Sequence, residues 1–310
     1  MQLRSWPDRL GEIVSTGIDT SKLTTWGVGG VADIMTTPRN EAELADVVTW
    51  FQAERAGFAI LAGGSNVLLA DGSIELPLIS TKALGGVDIE RDGDDVIVSC
   101  GAGASLKEVF ALSLREGWSG LECTAGIPGT VGGAAVGNAG TKDGTVGMCF
   151  HSARVLNMAG FFEEVTGSAV EWRYRYSSLA DGGVLSRVRL RLTRSTTLDV
   201  HETARRAMRE RSSQPFAART AGCVFKNPAG YSAGRLIDEA GCKGFLVGGA
   251  RVSVKHANFF ENRGDASAAD ILTLVRICRE RVQAKFGLEL QLEIKMIGFP
   301  EEVLDVGQTS

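Results

Sequence analysis

Glycine is the residue type that most limits how this chain can fold. It accounts for 39 of the 310 residues, whereas proline accounts for only 7. Many glycines with little proline are typical of tight turns and of backbone that approaches a ligand closely. Apolar residues are interspersed throughout, which argues against a disordered linker. The length allows two or three packed units, and 44% hydrophobic with 23% charged residues is an ordinary globular balance.

The glycines are densest in two segments. Residues 61–68 (LAGGSNVL) place Gly63, Gly64, Ser65 and Asn66 between two apolar stretches, and residues 125–134 (AGIPGTVGGA) are followed by GNAG at 137–140. Successive glycines let backbone N–H groups converge on an anion. One such loop alone is more simply a tight turn. Two loops in one domain, both with polar residues at the apex, favour a diphosphate-containing cofactor.

Two common nucleotide motifs do not fit. The chain contains no G-x-x-x-x-G-K-[ST] segment, so a P-loop is excluded. Gly101-Ala-Gly103 follows a strand pattern and opens a helix, but Leu106 stands where the third glycine of G-x-G-x-x-G belongs. We therefore do not expect a Rossmann dinucleotide site.

Charge and cysteine content restrict the partners. The net charge is −4 and no long run of Lys or Arg occurs, so we expect neither nucleic acid nor a membrane as partner. The basic stretch from Arg205 to Arg211 has the spacing of a solvated helix face. Six cysteines form no C-x-x-C pair, so we expect no metal. Met1–Ile13 lacks a signal-peptide core, and we expect a cytoplasmic monomer with a small-molecule substrate.

Periodicity and capping residues predict a mixed helix and strand order. Asn40 and Ser105 are expected N-caps, and Gly287 an expected helix stop. The glycine-rich stretch 125–147 is predicted to be a long functional loop. Predicted helices span 41–56, 106–115, 197–211, 233–240 and 266–286; predicted strands span 58–62, 67–70, 95–100, 154–157, 161–166, 184–192 and 290–297.

The two glycine loops, with Thr24-Thr-Trp-Gly-Val-Gly-Gly30, resemble the FAD loops and opening motif of the UDP-N-acetylenolpyruvoylglucosamine reductase (MurB) family. The resemblance covers about residues 24–298. It does not extend to TKDGTVG at 141–147, so it implies no FAD contacts for that stretch. It implies an α+β fold: a vanillyl-alcohol-oxidase-type (PCMH-like) FAD-binding domain in two lobes (about 1–72 and 73–212), a C-terminal α/β substrate domain (213–300) and a tail (301–310). The residues implied to line FAD are Gly63, Gly64, Ser65, Asn66, Gly126, Ile127, Pro128, Gly129, Gly133 and Asn138.

Three further segments resemble the family's catalytic motifs. They are Tyr174–Ser177 (YRYS), Ala221–Pro228 (AGCVFKNP) and Leu292–Gly298 (LEIKMIG). Taken singly, Arg175 is more simply a surface ion-pair partner, Cys223 a small core residue and Glu293 a solvated acid. Together, in the family's order, the three segments are specific. The short connection between Arg175 and Cys223 is similar to the family type that lacks a tyrosine-bearing loop.

The resemblance implies NADPH-dependent, FAD-mediated reduction of an enolpyruvyl ether of UDP-N-acetylglucosamine, a step of peptidoglycan synthesis that serves cell shape and division. Negative charge develops beside the substrate carboxylate, and Arg175 is our candidate for stabilising it. Glu293 would orient the carboxylate region or take part in proton transfer. Cys223 stands where the family commonly has serine. A thiol with an ordinary pKa of about 8.5 is protonated at neutral pH and is a suitable general acid.

Substrate contacts are expected from the C-terminal part of the chain. The segment GGARVSVKHAN at 248–258 resembles a family segment, and a helix beginning near Ser232 could receive an anion at its N-terminus. The expected substrate-binding residues are Lys226, Asn227, Arg235, Lys255, His256 and Asn258. A structural, hydrogen-bonded histidine is an equally good interpretation of His256.

Two other functions stay open at this point. The first is another FAD-dependent oxidoreductase of the same fold, acting on a hydroxy acid or a sugar lactone. The block that contains Cys223, Lys226 and Asn227 argues against it. The second is a binding protein that keeps the scaffold without a flavin, which a yellow purified protein would exclude.

Overall fold

The computed structural model describes residues 6–215 and 217–304. Asn40 and Ser105 cap their helices as predicted, each accepting a hydrogen bond from the third helical N–H. Gly287 ends the longest helix in the left-handed conformation. The helices are α1 (Glu41–Ala53), α2 (Leu106–Glu116), α3 (Val131–Val136), α4 (Thr197–Glu210), α5 (Ala233–Glu239), α6 (Ala268–Phe286) and α7 (Glu301–Leu304).

Twenty strands are assigned in the described residues, most of them two to eight residues long. The first ten are β1 (Val14–Asp19), β2 (Val31–Thr36), β3 (Ala59–Leu61), β4 (Val67–Leu69), β5 (Ser73–Ile74), β6 (Leu78–Ser80), β7 (Val87–Asp92), β8 (Asp95–Gly101), β9 (Trp118–Ser119) and β10 (Gly140–Thr141). The others are β11 (Gly144–Thr145), β12 (Phe150–Asn157), β13 (Phe162–Thr166), β14 (Trp172–Arg173), β15 (Tyr176–Ser177), β16 (Gly183–Arg194), β17 (Leu246–Val247), β18 (Ala250–Val252), β19 (Phe260–Asn262) and β20 (Lys295–Ile297).

The chain divides into two compact units, each built from separate segments. The first contains residues 1–15, 35–63 and 78–212, and the second contains 16–34, 64–77 and 213–310. The division changes unit at Ser212, where the sequence places its boundary, but it also gives two N-terminal segments to the second unit. The predicted domain and lobe boundaries stay a prediction. Of the predicted tail, 301–304 form α7 and 305–310 lie outside the described residues, as do residues 1–5 of the N-terminus.

An antiparallel sheet forms the middle of the first unit. Its strand order is β13-β12-β16-β8-β7, and β9 pairs with the end of β16. Val188, Leu190 and Leu192 of β16 are buried, as their alternation with arginines predicts. The alternating arginines reach across β8 to acids on β7 and β8: Arg187 to Asp88, Arg189 to Glu90, and Arg191 to Asp92 and Asp95.

Helices pack on this sheet, and the first unit also contains a smaller parallel sheet. α3 packs on β16 and β8, and α2 packs against α4. In the parallel sheet, β6 lies between β3 and the end of β2. The apolar core that results is continuous from β8 and α2 to β12 and β16.

Two predicted elements are wrong. The stretch 125–147 is not one long loop, because it contains α3 and the hairpin of β10 and β11. The Thr130 hydroxyl accepts from Gly133 N–H and starts α3 in spite of its two glycines. The closing strand is limited to β20. Leu292, which precedes it, forms only an isolated bridge with Phe225.

The second unit is organised around α6. α5 and the β17-β18-β19 sheet pack against this helix and enclose an apolar core that includes Trp26, Phe225 and Phe260. A capping box of Ser267 and Asp270 begins α6. The carboxylate of Asp71 accepts two further hydrogen bonds there, from the N–H groups of residues 268 and 269, each at 2.9 Å. β20 pairs in parallel with β4.

Within residues 6–215 and 217–304, none of the helices combines the length and the apolar character needed to cross a membrane.

Candidate active site

The two glycine loops touch each other in the first unit. A Cβ atom added to Gly63 would lie 2.7 Å from Cα of Gly129, closer than real Cβ contacts come. A Cβ on Gly133 would lie 3.5 Å from that of Ala62. The backbones of residues 62–63 and 129–133 therefore form one continuous surface, and this surface depends on glycine at position 63.

Side chains at the C-terminal end of α4 hold the second glycine loop in place. Nη1 of Arg211 donates to the carbonyl of Ala125 at 2.5 Å, and a Cβ on Gly126 would lie 2.8 Å from Sδ of Met208. Gly126 and Gly129 adopt φ values of 72° and 112°, which favour glycine. Ile127 packs on the core, whereas Gly126, Pro128 and Gly133 are partly or fully exposed. Exposed backbone without side chains fits the close approach of an extended phosphate-containing cofactor.

Arg175 lies at the tip of a hairpin that is bonded to α3 and to the residues that follow it. β14 and β15 pair antiparallel, and Tyr174 and Arg175 form the connecting turn. Arg175 has a φ of 58°, unusual for a residue other than glycine, and is half-buried. Its Nη1 donates to the carbonyl of Gly140 at 3.0 Å. The candidate charge-stabilising guanidinium is thus held against the segment that continues from α3.

Asn138 joins the hairpin to the same segment. Its side chain is buried, with 5% exposure, and its Nδ2 donates to the carbonyl of Arg173 at 2.9 Å. Its Oδ1 accepts from Gly147 N–H at 3.1 Å. At the other end of the hairpin, Ser177 Oγ donates to the carbonyl of Ala135 at 2.9 Å. The first unit therefore brings together Arg175, Asn138 and the second glycine loop.

The rest of the first glycine loop lies in the second unit. Gly64 is buried with a φ of 65°, and a Cβ there would lie 1.9 Å from the carbonyl oxygen of Leu23. The carbonyl of Gly64 accepts from Thr25 N–H at 3.0 Å, which ties the loop to the opening motif. Ser65 is half-buried and Asn66 is exposed.

Three motifs that are distant in sequence meet in the second unit. Nδ2 of Asn66 donates to the carbonyl of Glu293 at 3.1 Å, and Glu293 N–H donates to the carbonyl of Val224 at 2.8 Å. Cys223, half-buried, precedes Val224 and forms an isolated antiparallel bridge with Phe259. The unit thus holds the thiol-bearing segment, the Glu293 segment and the apex of the first glycine loop together through the Asn66 side chain and backbone hydrogen bonds.

Asn258 and Asn227 both use their side chains within the fold. The Asn258 side chain is buried, and it accepts from Phe225 N–H and donates to the Phe225 carbonyl, at 2.9 and 2.8 Å. It therefore fixes the strand-like segment that carries Cys223. Asn227 Oδ1 accepts from Ala233 N–H at 2.9 Å at the start of α5. The neighbouring Lys226 is half-buried, and its N–H donates to the backbone of residue 291.

The other predicted substrate-binding residues lie around α5. Arg235 is exposed and pairs with Glu239 at 2.6 Å, and Lys255 is exposed. The His256 ring is half-buried, lies edge-on to Phe259 with centroids 4.9 Å apart, and accepts from Asn258 N–H through Nδ1. Burial lowers the pKa of His256, and the positive charge of Lys243 adds to this. His256 is therefore a hydrogen-bonded ring whose surroundings favour the neutral form.

Three residues that sequence reasoning missed take part in this geometry. Thr130 caps α3, the Gly140 carbonyl receives Arg175, and Arg211 holds the second glycine loop. Thr130 could have been found from its place before a run of small residues, as an N-cap. Arg211 was grouped with the solvated basic stretch, where Arg205, Arg206 and Arg209 are indeed exposed.

Comparisons with known proteins agree with this geometry. An FAD binding domain family model matches residues 32–165, and a model described as "UDP-N-acetylenolpyruvoylglucosamine reductase, C-terminal domain" matches residues 214–297. The reductase of this name from Moorella thermoacetica is 39% identical over 92% of this chain and 93% of its own length. The one from Heliobacterium modesticaldum is 38% identical over 93% of this chain and 92% of its own length. The crystal structure of MurB from Thermus caldophilus superposes with a TM-score of 0.78 at 35% identity, covering 92% of this chain and 98% of that one.

The fold and the glycine surface thus define a flavoprotein with an FAD-binding domain, and the predicted fold class and cofactor are confirmed. The chain belongs to the UDP-N-acetylenolpyruvoylglucosamine reductase family. This assignment disfavours the alternative of another oxidoreductase of the same fold. The roles of individual site residues stay predictions.

Proposed function

We propose that this chain reduces the enolpyruvyl ether of UDP-N-acetylglucosamine to UDP-N-acetylmuramate, with NADPH as the reductant. The proposal rests on the hydrogen bonds that join Asn66 to Glu293 and Glu293 to Val224, because they assemble three of the family's motifs around the segment of Cys223. Bound FAD supplies hydride transfer between NADPH and the substrate. Gly63, Gly126, Gly129 and Gly133 would hold it through backbone that has no side chain in the way.

Arg175 has the properties needed to stabilise charge on the substrate. Addition of a hydride to the vinyl carbon remote from the carboxylate leaves negative charge on the neighbouring carbon and the carboxylate. A guanidinium stays protonated and offers several fixed donors, and a half-buried one is screened less by water than an exposed one. The bond from Arg175 to the Gly140 carbonyl orients this group before substrate binds.

Cys223 then donates the proton that completes the reduction. The S–H bond breaks, its proton goes to the carbanionic carbon, and the thiolate is reprotonated before the next turnover. The backbone of this segment is fixed by Asn258 and by the bridge to Phe259, which limits the positions that Sγ can take. Glu293, whose N–H is bound to Val224, is proposed to orient the carboxylate region of the substrate.

The UDP group is proposed to contact Lys226, Arg235, Lys255 and His256. The positive charges of Lys226, Arg235 and Lys255 and the ring N–H of His256 suit a diphosphate better than Asn227 and Asn258, whose side-chain oxygens already accept backbone hydrogen bonds. We place the reaction in the cytoplasm and treat the protein as a monomer that binds neither nucleic acid nor membrane. Light scattering on the purified protein tests the oligomeric state.

An anaerobic titration tests the proposed reaction. Purified protein should absorb at flavin wavelengths, bleach on addition of NADPH, and regain its colour when the enolpyruvyl substrate is added. Bleaching of the oxidised flavin by a hydroxy acid or a sugar lactone, with no reoxidation of the reduced flavin by the enolpyruvyl ether, would contradict the proposal. A colourless protein that cannot be loaded with FAD would also contradict it.

Substitutions of Cys223 separate its role from the rest of the site. Cys223→Ala should bleach with NADPH at nearly the wild-type rate and fail to reoxidise with substrate, whereas Cys223→Ser should keep part of the second step. Cys123→Ala is the matched control, because burial raises the pKa of that thiol to about 11 and it lies in no proposed contact. Full turnover by Cys223→Ala, or loss of its NADPH step, would refute the role as proton donor.

A further inference from the structure

Besides the bonds of Ser177 to the carbonyls of Ala135 and Val136, two hydrogen bonds join the tip of the hairpin that carries Arg175 to the residues after α3, and these two form a closed ring. Arg175 Nη1 donates to the Gly140 carbonyl at 3.0 Å, and Asn138 Nδ2 donates to the Arg173 carbonyl at 2.9 Å. On each segment the two bonded residues are two positions apart. One bond alone would leave a pivot, whereas two bonds fix both the position and the direction of the hairpin tip.

We propose that Asn138 is a positioning residue for Arg175, and this inference rests on the role given to Arg175 under the proposed function. Its carboxamide is buried, and its two partners differ in kind: the Arg173 carbonyl can only accept, and the Gly147 N–H can only donate. A side chain with both a donor and an acceptor is therefore required. Asparagine supplies both at the length of one methylene group.

The backbone at this place also selects asparagine. Asn138 has a φ of 42°, in the left-handed region that asparagine and aspartate tolerate better than other residues with side chains. Gly147 lies so close that a Cβ there would be 3.0 Å from Asn138 Oδ1 and 2.7 Å from the Trp172 ring. The hairpin, Asn138 and Gly147 thus form one packed contact, in which a shift of the carboxamide displaces the strand that leads to Arg175.

Asn138→Asp is the informative substitution. It keeps the backbone preference, the size and the acceptor for Gly147 N–H. It replaces the donor to the Arg173 carbonyl with a carboxylate oxygen, which cannot donate when ionised and repels the carbonyl. We expect the rate of reoxidation by the enolpyruvyl substrate to fall about tenfold or more, because misplacement of a catalytic group by a fraction of an ångström to 1 Å has effects of this order. The FAD content and the rate of bleaching by NADPH should fall by a much smaller factor than the rate of reoxidation, because both polar atoms of the Asn138 side chain bind protein backbone and the displaced group is the one facing the substrate.

A double-substitution cycle with Arg175→Lys tests whether Asn138 acts through Arg175. If it does, Asn138→Asp should slow reoxidation in wild type but add little in the Arg175→Lys background. Asn157→Asp is the matched control: it makes the same change at another turn of the first unit, where Oδ1 accepts two backbone N–H groups. We expect this control to reoxidise at the wild-type rate.

The outcomes distinguish this inference from its alternatives. Loss of FAD from Asn138→Asp would mean that the residue holds the cofactor, and would overturn the positioning role. A lowered unfolding midpoint with unchanged reoxidation would make it merely structural. If the double variant slows reoxidation by the product of the factors found for Asn138→Asp and Arg175→Lys alone, the inference is also overturned. If Arg175→Lys itself reoxidises like wild type, the role of Arg175 in the proposed function fails, and the role of Asn138 fails with it.

Discussion

Gly63→Ala should weaken FAD binding with little effect on folding. The added Cβ would lie 2.7 Å from Cα of Gly129, about 0.7 Å short of an ordinary contact at 3.4 Å. Both atoms belong to backbone, so no side chain can turn away, and the two loops must separate. The φ of Gly63 lies outside the left-handed region, so alanine itself is compatible with the backbone at this position.

The expected magnitude follows from the cost of overpacking. Forcing an extra methyl group into a packed contact costs about 1–3 kcal/mol. Without FAD the loops can move apart and release most of this strain, because they are held together there by a contact between glycines. With FAD the loops must keep their spacing, so the strain opposes binding. The dissociation constant for FAD should therefore rise about 5- to 150-fold.

Equilibrium dialysis of FAD against the apoprotein measures this change, and urea unfolding of the apoprotein measures stability. Gly85→Ala is the matched control in the same unit, because a Cβ there would meet nothing within 4 Å and its φ is outside the left-handed region. An FAD dissociation constant for Gly63→Ala within twofold of that for Gly85→Ala would refute the reasoning. So would an equal loss of affinity in both variants.

Two further predictions concern the second unit. Asp71→Ala removes two hydrogen bonds and a negative charge from the start of α6, so it should lower the free energy of unfolding by about 1–2 kcal/mol. Asp71→Asn should have an intermediate stability. Urea titration measures both variants, and equal stability of these two and wild type would contradict the capping role. Because burial lowers the pKa of His256 in the folded state, the unfolded state binds the proton more readily, so stability should fall as the pH drops below about 6.5. His256→Asn should reduce this pH dependence in unfolding measured between pH 5 and 8, and an unchanged slope would contradict the assignment.

Local signals in the sequence were sufficient where a single residue type decides the structure. Asn40 and Ser105 begin helices because their side chains satisfy N–H groups that have no intrahelical partner, and Gly287 ends one because it accepts a positive φ. The strand β16 followed from its alternation of Val188 and its neighbours with arginines. These features depend on residues close in sequence, so a sequence pattern is enough to predict them.

Features that depend on contacts between residues distant in sequence could not be predicted from sequence patterns. α3 contains two glycines and has a poor intrinsic tendency to form a helix; packing on β16 and β8 and the Thr130 cap stabilise it. The link from Asn66 to Glu293 spans 227 positions, and no local pattern marks it. The residues of the candidate site were found by resemblance to family motifs, whereas the hydrogen bonds that orient Arg175 needed coordinates.

The bonds from Asp71 to the first N–H groups of α6 connect residues 197 and 198 positions apart. During synthesis at about 5–20 residues per second, Asp71 is therefore made roughly 10–40 s before its partners. For that time the segment 64–77 and the opening motif have only other early residues as neighbours. A nascent chain that ends before residue 213 would lack all the later residues of the core that encloses Trp26 and Leu68, so these apolar side chains are covered only when the C-terminal segment has been made.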